Sequence, residues 1–139
     1  MARTESPPDV WVDAGVVLPL LTGQPAAQAA AALVARADAG ELRLRICPLV
    51  VAEVVWVLTS AYDVPPAKVA DVLTSFLASS GLVFEVGMLL VSALAQMAEQ
   101  RVDFVDAYLA AKARLSGALV ATFDRDFDRL GVERLALDA

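Results

Sequence analysis

Two long apolar stretches of the chain each hold a single carboxylate. Asp13 is the only charged residue between Asp9 and Arg36, and Glu53 the only one between Arg45 and Asp63. Acidic side chains are almost never fully buried alone, and a carboxylate in apolar surroundings either takes up a proton or meets a cation. Further along, acid-rich segments surround Asp103, Asp106, Asp124 and Asp126. If these groups converge they repel: two carboxylates about 4 Å apart cost roughly 4 kcal/mol at an effective dielectric of 20. A shared hard divalent cation relieves that repulsion. Mg2+ or Mn2+ suits an all-oxygen site and keeps waters in its shell. Such an ion can activate water and stabilise charge on a phosphoryl group in transit. The chemistry indicated is in-line attack on a phosphodiester.

Composition removes the main alternatives. The chain has no histidine, so Ser–His and Cys–His pairs, His-ligated zinc and imidazole acid–base catalysis are excluded. Its one cysteine, Cys47, cannot form an internal disulfide. It reads as a small core residue at a strand end and fits a reducing, cytoplasmic setting. The formal charge of −6 counts against a non-specific nucleic-acid binder. It is compatible with a metal-dependent nuclease, whose acids are partly neutralised by the ion. A hydrophobic fraction of 58% exceeds the usual globular share, and the excess is expected to cover a subunit or partner interface. No uninterrupted apolar stretch of membrane-spanning length and no signal-peptide pattern is visible.

At 139 residues the chain reads as one domain, with residues 1–8 a flexible N-terminus. Val10 to Val12 predict a buried strand with Asp13 at its carboxyl end. Val16 to Leu21 predict a short helix and Ala26 to Ala39 an alanine-rich one. Leu42 to Cys47 alternate as a strand, with Arg43 and Arg45 on one face and suited to a partner surface. Pro48 then opens a helix to about Ala61. Glu53 lies in it with Leu49, Val50, Trp56 and Val57 at helical spacing, which places it on an apolar rather than a solvated face. A helix from Pro65 to about Ser80, a strand from Leu82 to Phe84 and a helix from Gly87 to Gln100 follow. The next helix begins at Asp103 and ends at Gly117. Ala118 to Ala121 form a fourth strand, Thr122 to Arg129 a polar turn, and Arg134 to Leu137 an edge strand. Strands alternating with helices indicate a mostly parallel sheet of four or five strands, covered on both faces in a three-layer α/β/α arrangement.

In open α/β sheets, ligands bind beyond the carboxyl ends of the strands. Asp13, Glu53, Asp106 and Asp124 are all topologically able to reach that edge. Each also has a plainer role. Asp13 could simply end a strand, Glu53 pair with an arginine, and Asp106 complement a helix dipole. Asp124 could be a turn residue. Asp103 reads first as an N-cap, and Asp126 as a cap for the turn around Phe127. Arg101, Lys112, Arg114 and Arg125 are candidates for phosphate contact, against a solvated role for each. Trp11 and Trp56 lie in apolar runs and read as core rather than as stacking platforms.

Val10-Trp11-Val12-Asp13, Pro48-Leu49-Val50-Val51-Ala52-Glu53-Val54, Asp103-Phe104-Val105-Asp106-Ala107 and Ala121-Thr122-Phe123-Asp124-Arg125-Asp126-Phe127 together resemble the ordered motifs of PIN-domain ribonucleases. The pattern is most similar to the toxins of VapBC-type toxin–antitoxin pairs, over about Val10 to Leu135. The resemblance implies an endoribonuclease dependent on Mg2+ or Mn2+, a homodimer, and neutralisation by a VapB-type antitoxin that covers the acidic cleft. Residue by residue, it implies that Asp13, Glu53, Asp106 and Asp124 are the catalytic, metal-holding acids. It also implies supporting roles for Thr122, Asp126 and Asp103. The family often has Thr or Ser, then Asn or Ser, after the first aspartate. Here Ala14 and Gly15 stand there, so those polar contacts are missing.

That departure, with the acidic balance and apolar composition, also motivates a catalytically weak or inactive PIN-like interaction module. A phosphotransfer receiver or an aspartate-nucleophile phosphatase fits less well. Receivers pair adjacent acids after the first strand and use a late lysine; here Asp13 has no acidic neighbour and no lysine follows Lys112. The phosphatase pattern needs an aspartate where Gly15 stands.

Overall fold

The computed structural model describes residues 6–79, 81–83 and 88–137. Strand β1 (Asp9–Trp11) leads into helices α1 (Ala14–Thr22) and α2 (Ala27–Asp38). Strand β2 (Arg43–Arg45) is followed by α3 (Pro48–Ser60) and α4 (Pro66–Leu77). Strand β3 (Leu82–Val83) is followed by α5 (Leu89–Gln100) and α6 (Phe104–Ser116), and a 3-10 helix spans Arg125–Leu130. The sheet is parallel in the order β1-β2-β3, with Val10 opposite Leu44 and Leu44 opposite Leu82. Helices flank it in a three-layer α/β/α arrangement.

The punctuation of the sequence explains the helix ends. Pro48 and Pro66 occupy first-turn positions, where a missing N–H costs nothing. Gly117 closes α6 at φ +68°, a conformation that L side chains resist, and its N–H donates to Ala113 and Arg114 carbonyls. The core lies where the helices meet the sheet: Val17, Leu44, Val51, Val54, Val69, Leu73, Leu90 and Leu94 are essentially inaccessible. No polar or charged residue among the described ones is buried.

β3 begins at a close approach of two backbones. Gly81 donates its N–H to Asp38 Oδ1 at 3.2 Å, and its carbonyl accepts the Leu44 N–H at 2.9 Å. A Cβ at this position would meet the Ala37 Cβ at 2.4 Å and its carbonyl carbon at 2.5 Å.

Three expectations need correction. The fourth and fifth strands reduce, among the described residues, to one parallel bridge between Val120 and Arg134. Only four residues separate Gly117 from Thr122, and Ala118, Leu119 and Ala121 are exposed, so little apolar surface fixes a longer ladder. Trp11 and Trp56 are not core residues; they are 68% and 67% exposed. Arg43 and Arg45, on one face of β2, form ion pairs with Asp9 at 2.9 and 3.2 Å. Pro8 is held to the sheet, its carbonyl accepting the Arg43 N–H at 2.9 Å, while residues 1–5 lie outside the described ones. The expected helix end at Ser80, strand end at Phe84 and helix start at Gly87 also fall outside them. No single helix among the described residues is long and apolar enough to cross a membrane.

Candidate active site

Parallel strands place their following turns at one edge of the sheet. Asp13 lies two residues past the end of β1 and occupies the N-cap position of α1. Its backbone carbonyl accepts the N–H groups of Val16 and Val17, but its carboxylate makes no capping hydrogen bond. The carboxylate leans over Gly15: a Cβ there would lie 3.1 Å from Asp13 Oδ2. Larger residues at position 15 would crowd this oxygen.

Glu53 is exposed, contrary to the expectation of an apolar setting. The sequence misleads because α3 is apolar on nearly every side. Glu53's helical neighbours Leu49 and Trp56 are themselves exposed, at 79% and 67%. Asp13 is exposed as well, so neither acid is forced to find a cation by burial.

The stronger constraint lies at the start of α6. Asp103 takes the N-cap position of α6 without a side-chain capping bond, and Asp106 lies in the first turn. Partial burial pushes the Asp106 carboxyl above the usual carboxylate range, and the charges of Asp103, Asp124 and Asp126 push it further. The helix dipole, which favours an anion at this end, does not offset them. The structure therefore brings Asp106 and Asp124 into electrostatic reach of each other, with Asp103 and Asp126 beside them. Asp13 and Glu53 are not among the charges that shift Asp106. Among the described residues, no three acids are grouped closely enough to hold one metal ion.

The turn that carries Asp124 is internally braced. Thr122 Oγ1 accepts the Asp124 N–H at 3.0 Å, and Asp124 Oδ1 accepts the Asp126 N–H at 2.8 Å to cap the 3-10 helix. Asp126 pairs with Arg129 at 3.0 Å, and Arg129 also donates to the Gln100 carbonyl at 2.9 Å. That arrangement makes Asp126 a structural anchor. Asp128 is held below its usual range by its hydrogen bond to Arg134, and so belongs to the strand bridge rather than to the acid group. Arg114 donates to the Leu130 carbonyl, which ties α6 to the 3-10 helix and accounts for that guanidinium.

The basic candidates separate in the same way. Arg125 is exposed in the turn immediately after Asp124. Arg101 is exposed at the C-cap of α5, two residues before Asp103. Lys112 lies six residues beyond Asp106, about 240° round the helix, and sits 6.0 Å from the Tyr108 ring centroid. It lines a different groove with Leu109, Leu115 and Leu119, so a role beside Asp106 does not follow from its position.

Sequence reasoning missed one feature. A groove of about 370 Å3 runs between α3 and the start of α6, lined by Ala52, Val55, Trp56 and Thr59 on one side. Asp103, Phe104, Val105 and Asp106 form the other side. Spacing alone gave a hint, because Trp56 lies three residues from Glu53 and so shares its side of the helix.

Carboxylate oxygens, with the Asp106 carboxyl raised by partial burial and by its anionic neighbours, suit a hard divalent cation rather than a soft one. The PIN domain family model matches residues 10–133 of the chain. The chain belongs to the PIN domain family. PIN domains have a nuclease-type fold, are generally metal-dependent nucleases and generally use divalent metal ions. A search of curated proteins finds no match to the chain. In this PIN domain the acids that repel one another are those of the third and fourth motifs, Asp106 and Asp124, with their neighbours Asp103 and Asp126.

Proposed function

We propose that this PIN domain is an endoribonuclease that hydrolyses RNA phosphodiester bonds with Mg2+ or Mn2+, held by Asp13, Glu53, Asp106 and Asp124. The observation that carries this reading is the PIN family match over residues 10–133, joined by the place of Asp106 in the first turn of α6, partly buried and near the charges of Asp103, Asp124 and Asp126. A bound divalent ion supplies a more acidic water and offsets charge on the phosphoryl group. The chain's own residues do the positioning. Thr122 fixes the backbone that presents Asp124, and Arg125 and Arg101 stand exposed beside the acids to meet the substrate's phosphates. Water adds across the P–O bond, leaving a phosphomonoester and a hydroxyl.

The order of the four motifs supports a toxin of VapC type, neutralised in the cytoplasm by a VapB-type antitoxin. Exposed Leu109, Leu115 and Leu119, which line one groove, support a homodimer. A second reading, a catalytically weak interaction module, is favoured by Gly15 beside Asp13 and by the absence of a three-acid group among the described residues.

Cleavage of labelled RNA separates the two. The nuclease reading expects turnover with Mg2+ or Mn2+ that stops in excess chelator and returns when the metal is restored. Undiminished turnover in chelator would refute the metal role. An intact fold with no turnover under any divalent metal would favour the interaction module.

A further inference from the structure

We infer that Trp56 is the stacking platform for a nucleobase of the RNA substrate, seated in the groove between α3 and the first turn of α6; this rests on the nuclease reading. Tryptophan is highly buried on average, yet this indole is 67% exposed. It forms one wall of a concave groove whose other wall carries Asp103 and Asp106. A broad π face set against carboxylate acceptors matches the chemistry of a base. The base plane stacks on the indole, and its edge N–H donors meet the carboxylates. A phosphate does not suit this groove, because Asp103 and Asp106 repel it. The sugar–phosphate chain therefore stays at the mouth. A nucleotide whose phosphate stays at the mouth, next to the ion proposed for Asp106 and Asp124, has its neighbouring base within reach of the groove that Trp56 lines. An arginine side chain from a protein partner is the competing occupant, since it too stacks on indole and pairs with acids.

The test reads the indole directly and needs no turnover. The chain has two tryptophans, so a Trp11→Phe background leaves Trp56 as the sole indole fluorophore. Titration uses methylphosphonate trinucleotides, whose backbone is uncharged, in chelator-containing buffer. Trinucleotides are expected to quench the fluorescence saturably. In separate steady-state measurements on charged RNA with Mn2+, Trp56→Leu is expected to raise KM about tenfold with kcat nearly unchanged, in line with base–aromatic stacking. Trp56→Phe is expected to recover most of that loss. No quenching, or an unchanged KM in Trp56→Leu, overturns the proposal. So does quenching by an arginine-containing peptide but not by trinucleotides, which assigns the groove to a protein partner. Normal cleavage with an unmoved KM sinks the base subsite alone. Quenching in a protein that cleaves no RNA overturns the nuclease reading and, with it, the assignment of the stacked base to a substrate.

Discussion

Asp106→Asn is expected to reduce RNA cleavage by about a hundredfold or more while leaving the metal-free protein at least as stable as the wild type. The first half follows from its place among the acids proposed to hold the ion. Changes merely beyond the ligands of a metal site already cost about 10–100-fold, and loss of a ligand should exceed that. The second half follows from the direction of its shift. The fold pushes this carboxyl above its ordinary range, so ionisation is harder in the folded chain than in the unfolded one. Above that raised value the charged group therefore costs stability, and the cost disappears as the pH falls through it. Asparagine carries no charge at any pH and removes the same cost. The expected pair of results is a strong loss of turnover and an unchanged or higher melting temperature. A variant that loses activity because it unfolds would contradict the electrostatic account. Asp128 has the opposite sign: its lowered carboxyl contributes stability above the ordinary range, lost as the pH falls through its folded value. That contribution is small, because the Asp128–Arg134 pair is solvent-exposed.

Gly81→Ala is expected to cost about 3 kcal/mol or more, at the upper end of overpacking effects. The added methyl would come within 2.5 Å of the Ala37 carbonyl carbon and 2.7 Å of its oxygen, which are helix backbone rather than a movable side-chain tip. Gly81 cannot retreat without losing a bond, because its N–H is given to Asp38 and its carbonyl takes the Leu44 N–H. Either α2 moves off the sheet or β3 leaves β2. For a domain of this size such a loss lowers the melting temperature by about 10 °C. Thermal unfolding followed by circular dichroism checks it, and a drop under about 2 °C would show that the junction yields easily.

Much of the fold was legible because the chain punctuates its own elements. Pro48, Pro66, Asp103 and Gly117 mark helix ends through local backbone chemistry, and the observed helices agree with them. The parallel sheet followed from the alternation of strands and helices. Side-chain exposure was less legible, because apolar residues cover nearly the whole circumference of α3. Periodicity therefore could not say which side meets the core, and Glu53, Leu49 and Trp56 were placed wrongly for one shared reason. The acids were readable as candidates, but their grouping was not: Asp103, Asp124 and Asp126 bear on Asp106, and Asp13 and Glu53 are not among the charges that do. Isolation in apolar sequence suggested that burial of Asp13 and Glu53 was the driver, whereas the carboxyl that partial burial and nearby charges raise is that of Asp106. That grouping depends on where a short bridge delivers Asp124, which no local pattern encodes.

Crystals soaked in Mn2+ give the most direct measurement of the central claim. Anomalous density is predicted between Asp106 and Asp124, with Asp13 and Glu53 turned toward it, and it should vanish in Asp106→Asn crystals. Fully soaked crystals with no anomalous peak at these carboxylates, or with a peak that persists unchanged in Asp106→Asn, would contradict the account.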